Sequence, residues 1–188
     1  MTVDVQRWGI ELRAEVSEAG VLTGHAAVFD QVADLGRDGL ESIARTAFDR
    51  ALADPATDVR ALINHDPNQL LGRQSAGTLR LQVDRRGLAF EVDLPDTSYA
   101  NDLRALVRRG DVDGGSFGVI PDKIERNTRL GRTVRTHTDV ARLVDVSVVT
   151  WPAYSGTGVQ LRSASHTTAS YRSRLVRARA AITLRSDR

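Results

Sequence analysis

Apolar and polar positions alternate with a period of two in several stretches of the first 150 residues, which predicts a chain built mainly from strands. The clearest pair is Thr78-Leu79-Arg80-Leu81-Gln82-Val83 and Leu88-Ala89-Phe90-Glu91-Val92-Asp93-Leu94. Each reads as a half-buried strand, and Asp84-Arg85-Arg86-Gly87 between them supplies the turn of a hairpin. A second hairpin is predicted from 117–125 to 133–140 through residues 127–131. Residues 21–29 and 58–63 are short apolar strands, the first entered through the turn signal Glu18-Ala19-Gly20. Residues 143–150 form a β-branched run that predicts a buried strand, ended at Trp151-Pro152 because proline lacks a ladder donor.

The period changes to that of a helix in two places. Residues 43–53 carry Ile43, Ala47, Ala51 and Leu52 and stop before Pro55. A second helix follows Pro95-Asp96-Thr97-Ser98, any of whose last three residues can cap it, with Leu103, Leu106 and Val107 as its apolar stripe. Gly110 stands where a helix C-terminal glycine belongs, after Arg108 and Arg109. The fold class is therefore α+β, mainly β.

Composition narrows the function classes. A chain of 188 residues with 41% apolar and 27% charged residues is one globular domain, with room for a tail. The absence of cysteine excludes disulfides, thiolate catalysis and cysteine-based zinc sites. No apolar run approaches the ~20 residues of a membrane span, and Met1-Thr2-Val3-Asp4-Val5 lacks a signal-peptide pattern, so a cytoplasmic protein is expected. Charge is uneven. Residues 161–188 hold seven arginines against Asp187, or +6, which leaves −4 on residues 1–160 out of the total of +2. A body over 1–161 and a basic, arginine-rich tail over 162–188 are expected. Such a tail is either a solvated extension or an arm for nucleic acid or an acidic partner.

Three segments hold candidate chemistry: Asn64-His65-Asp66-Pro67, Gly114-Gly115-Ser116-Phe117-Gly118 and Leu143-Val144-Asp145-Val146-Ser147-Val148-Val149. A serine hydroxyl is a poor nucleophile unless an imidazole takes its proton and a third group orients the imidazole. His65 follows a strand, where catalytic side chains are often presented, although a lone histidine there is more often a surface or hydrogen-bonding residue. Glycines around Ser116 permit close backbone approach; they also suit a turn that opens a strand. Asp145 lies within a β-branched strand, where a charge needs a partner or an exposed edge. Asp139 is a competing acid in a similar setting. The order His, Ser, Asp differs from the commonest serine hydrolases. His25 and His137 sit in strand-like runs and are expected to be structural. No histidine spacing suits a metal, and no phosphate or dinucleotide loop is present, so neither metal nor cofactor is expected.

In order and spacing these segments resemble the prohead (capsid maturation) proteases of tailed double-stranded-DNA bacteriophages. The resemblance runs over about residues 20–160, through Gly24-His25-Ala26-Ala27-Val28-Phe29, Asn64-His65-Asp66, Leu71-Gly72-Arg73, Gly115-Ser116-Phe117-Gly118 and Asp145-Val146-Ser147-Val148-Val149-Thr150. The family is similar to the herpesvirus maturation protease. The resemblance thus implies a β-barrel of about seven strands, closed or nearly so and flanked by helices. It implies Ser116 as nucleophile, His65 as general base and Asp145 as the orienting acid, with Asp139 as the alternative. It also implies a serine endopeptidase that cuts scaffold segments or extensions of the major capsid protein, and itself, inside the immature capsid in the host cytoplasm. Herpesvirus relatives act as dimers, which leaves a homodimer open. Nucleic acid and membrane are not expected partners. An inactive assembly protein of the same fold, and a nucleic-acid module working through the tail, are the competing readings.

Overall fold

The protein was analysed as a computed structural model, which describes residues 6–11, 20–34, 39–129, 131–152 and 159–162; the side chains of 6–11, Arg129 and 159–162 are not described. The chain is mainly β, with two helices among the described residues. The strands fall into two sheets. The larger has seven strands, centred on two long ones, β9 (Gly114–Arg129) and β10 (Arg132–Val149), which pair antiparallel over their whole length. Outside β9 lies β1 (Gln6–Glu11). The other edge of β10 is shared by two parallel neighbours, β4 (Leu40–Ile43) and β5 (Arg60–Ile63), each covering one half of it. The short β3 (Ala33–Asp34) extends β4, and β6 (Asp66–Arg73) returns antiparallel along β5. The smaller sheet runs β11 (Val159–Arg162), β2 (Val21–Val28), β8 (Gly87–Asp93), β7 (Leu79–Val83).

The expected barrel of about seven strands is therefore corrected to two mixed or antiparallel sheets, with no closed barrel among the described residues. Single-strand alternation shows which positions are buried, not which strand edges meet. The β7–β8 hairpin is as expected, and its turn is fixed by the Asp84 carboxylate, which accepts from the N–H groups of Arg86 (2.7 Å) and Gly87 (2.9 Å). Residues 133–140 and 143–150, expected as separate strands, are joined in β10. The hairpin before them closes on the Arg129–Arg132 pair, later than expected, with Gly131 at φ +76°.

The helices differ from expectation in extent. Helix α1 is only Asp49–Ala53, because Ile43 is drawn into the β4 ladder opposite His137. Helix α2 (Ser98–Arg109) ends at Gly110, whose φ of +78° is the left-handed conformation a glycine adopts freely. It buries Ala100, Leu103 and Val107, while Leu106, expected on the stripe, is exposed. Thr97 occupies the N-cap position without a side-chain bond to the helix. No described helix is long and apolar enough to cross a membrane.

The core lies between the sheets. Phe117 of β9 is fully buried and meets Phe48 edge-on, with ring centroids 5.4 Å apart. Alternation along β9 sends Gly115, Phe117 and Val119 to this core and Ser116 and Gly118 to the opposite face. Gly115 is required by packing, since a Cβ there would lie 2.2 Å from the His25 carbonyl oxygen of β2. A backbone oxygen cannot swing aside as a side chain can. Gly115→Ala is expected to cost at least the upper part of the about 1–3 kcal/mol typical of overpacking. At this chain length that lowers the melting temperature by roughly 6–12 °C in a thermal scan. An unchanged melting temperature would show that the two sheets can part at this point.

The tail beyond Arg162 lies outside the described residues, so no role for its arginines is tested there. Strand β11 spans the expected boundary near residue 161.

Candidate active site

Three elements carry the site, and each presents its residue for a local reason. Ser116 sits in β9, opposite Gly9 of β1 on one side and Ser147 of β10 on the other. It is a central-strand residue, 2% exposed. Residues 114–118 are in register with neighbours on both sides, so their backbone N–H groups belong to the ladders. The glycines at 114 and 115 serve close packing: a Cβ on Gly114 would lie 2.8 Å from the Val149 carbonyl oxygen.

His65 is held by a turn whose type the sequence did not disclose. Ile63 pairs with Asp66, leaving Asn64 and His65 as a two-residue hairpin turn. Their φ values are +50° and +58°. Positive φ at both central residues is the type I′ geometry that matches strand twist and favours Asn-Gly. Asparagine suits its position; histidine in the left-handed region costs roughly 1–2 kcal/mol. Surrounding bonds hold the turn in place. The Asn64 N–H donates to the Val148 carbonyl at 2.8 Å, and the Asn64 side-chain oxygen accepts from the Thr150 N–H at 3.0 Å. The turn is thereby tied to the end of β10. Asp66-Pro67 begins β6, where Pro67 is tolerated because among the described residues β6 pairs with β5 alone. The Asn68 N–H bonded to Asp66 holds that carboxyl below its usual range. At the base of the hairpin, hydrogen bonding from Arg73 holds Asp58 well below the usual carboxylate range.

Asp145 reaches the same face through a bulge. Leu143 pairs with Val119, a core-facing residue, and unbroken alternation would turn Asp145 to the core as well. The register slips between Leu143 and Asp145, so that Asp145 pairs with Gly118 and Ser147 with Ser116. One extra residue flips the face, a common use of bulges near active sites. Asp145 and Ser147 then stand on the face of Ser116, buried at 3% and 1% exposure.

The three side chains are in line. His65 Nε2 lies 2.6 Å from Ser116 Oγ, and His65 Nδ1 lies 2.6 Å from Asp145 Oδ1. A carboxylate only accepts, so Nδ1 carries the proton and Nε2 is left to accept the serine O–H. The Ser147 hydroxyl donates to the same Asp145 Oδ1 at 2.7 Å. This array can take a proton from the serine and hold the resulting imidazolium.

Asp139, the alternative acid, is not brought to this point. It accepts from Arg50 Nε at 3.1 Å, and six residues of extended strand, roughly 20 Å, separate it from Asp145. His25 bonds Asp84 at 2.7 Å, and the fully buried His137 lies 3.4 Å from Glu41. Sequence reasoning missed Asn64 and Ser147. The signal for Ser147 was the alternation Val144-Asp145-Val146-Ser147-Val148, which puts aspartate and serine on one face.

Comparison with known proteins agrees with this chemistry. A profile of the family described as Caudovirus prohead serine protease matches residues 9–171. Among solved structures the chain is similar to the bacteriophage T4 capsid assembly protease, gp21, with 13% identity and a TM-score of 0.49, over 78% of this chain and 96% of that one. No curated protein sequence matches the chain.

Proposed function

We propose that this chain, which belongs to the caudovirus prohead serine protease family, is an active serine endopeptidase with Ser116 as nucleophile, His65 as general base and Asp145 as the orienting acid. The observation that carries the proposal is the unbroken line of two 2.6 Å contacts from Ser116 Oγ through His65 to Asp145 Oδ1. In the mechanism, His65 Nε2 takes the Ser116 proton as Oγ attacks the peptide carbonyl carbon. The imidazolium gives that proton to the departing amine as the tetrahedral adduct collapses to an acyl-enzyme. Water, deprotonated by the same nitrogen, then releases the acyl group. Asp145 fixes the tautomer of His65 and stabilises the imidazolium, and stays ionised throughout.

The oxyanion donors are drawn from outside residues 114–118, because those amides are committed to the sheet. The substrates proposed are scaffold segments and extensions of the major capsid protein, enclosed with the protease in the immature shell. Self-cleavage belongs to the same proposal. The preorganised turn at His65 supports an active enzyme over an assembly protein that merely keeps the fold, since a positive-φ histidine carries a local backbone cost and sets its ring between Ser116 and Asp145.

A fluorophosphonate probe tests the assignment directly. Peptide mapping is expected to place one adduct on Ser116, and His65→Ala is expected to abolish it. Co-expression with the major capsid protein is expected to yield a shortened capsid protein. Label elsewhere or nowhere, with capsid protein left at full length, would favour the inactive assembly protein.

A further inference from the structure

The Ser147 hydroxyl has a duty in the site that neither the family nor the three-residue line assigns. It is 1% exposed and stands directly across the β9–β10 ladder from Ser116. Its hydroxyl donates at 2.7 Å to Asp145 Oδ1, the same oxygen that accepts from His65 Nδ1 at 2.6 Å. Both donors thus converge on one atom of a carboxylate that water does not reach.

We propose that Ser147 is a positioning residue of the active site, locking the Asp145 carboxylate in the rotamer that meets His65 and sharing its negative charge. The inference rests on the catalytic reading above. Its physical basis has two parts. A carboxylate two residues away on the same strand face has a free torsion about Cα–Cβ and another about Cβ–Cγ. One donor at one oxygen leaves the second torsion loose, whereas two donors from different directions define it. The second part is electrostatic. The Ser147 O–H takes up part of the charge that the Asp145 carboxylate presents to His65.

The kinetic consequences follow with a definite sign. Ser147→Ala is expected to lower kcat by about 10- to 100-fold, the range seen when a partner of an active-site ligand is removed, with KM little changed because Ser147 faces Asp145 and not the substrate. A purely structural serine would not split kcat from KM in this way. Ser147→Thr and Ser147→Val form the controlled pair, since they fill nearly the same volume and differ in the hydroxyl. Thr is expected to retain more of the activity than Val. This pair also decides the matter if the alanine variant folds poorly.

The assay is cleavage of the co-purified capsid-protein extension by the full chain, with Ser116→Ala measured alongside. Wild-type kcat in Ser147→Ala, or equal activity in the Thr and Val variants, would overturn the positioning role while Ser116→Ala remains inactive. If Ser116→Ala itself cleaves normally, the catalytic reading fails instead.

Discussion

Ser116→Ala is expected to leave the fold intact and to reduce cleavage by about 10⁶-fold, the loss measured when a nucleophilic serine is removed from an otherwise complete hydrolase site. The size of the effect follows from how the parts cooperate. His65 exists in the neutral Nδ1–H tautomer in order to accept one proton, and without the hydroxyl there is no group to take it from. What remains is binding and any oxyanion stabilisation, which act on water with no covalent intermediate. The structural cost is small by comparison. Ser116 is a central-strand residue whose side chain hydrogen-bonds to His65, and its loss leaves Nε2 without that partner at a cost of about 1–3 kcal/mol. The backbone ladders to β1 and β10 do not depend on the side chain. Single-turnover cleavage of the capsid substrate, with thermal unfolding of the same preparation as the control, reads both effects. Retained cleavage in a folded variant would move the nucleophile elsewhere.

Much of this site was legible in the sequence, and the remainder was hidden for identifiable reasons. The β7–β8 hairpin, the α2 helix with its terminal Gly110 and the strand leading into His65 all rest on local signals, namely alternation, turn residues and a helical stripe. Those signals survive into the structure because tertiary contacts reinforce them. The helix expected over residues 43–53 is shortened to Asp49–Ala53 because Ile43 gains more by joining the β10 ladder than by starting a helical turn, a competition that propensity does not weigh. No closed barrel is found among the described residues, and edge closure depends on strands distant in sequence, which local alternation does not report. Ser116 and His65 were placed by residue type and resemblance. The features that make them meet were not visible: a type I′ turn built on Asn-His, where Asn-Gly is the usual signal, and a bulge after Leu143. A bulge leaves no mark on hydrophobic alternation unless both neighbouring strands are already aligned. The glycines around Ser116 suggest close backbone approach or a turn, and the structure gives the first at Gly115, whose neighbour is the His25 carbonyl of β2.

Asp145→Asn separates the two acids that the sequence offered. The substitution preserves shape in a site where Asp145 is 3% exposed, so the two donors from His65 and Ser147 still find an oxygen or clash with an amide. If the carbonyl oxygen takes the Oδ1 position, both bonds persist but the charge opposite the imidazolium is gone. If the amide turns the other way, its N–H donates to His65 Nδ1 and forces the proton onto Nε2, where it blocks acceptance from Ser116. The first outcome weakens general-base catalysis and the second abolishes it, and kcat is expected to fall by about 10⁴-fold with the fold retained. Asp139→Asn is expected to leave kcat unchanged. Its carboxylate serves Arg50, which keeps Asp122 as a second partner, and the stability cost of a half-exposed ion pair is about 1 kcal/mol or less. The two variants carry the same chemical change six positions apart on the same strand, so global effects of a lost charge cancel in the comparison. Equal losses of kcat in both would mean that net charge on β10 governs activity, and the 2.6 Å contact between Asp145 and His65 would then have no special standing.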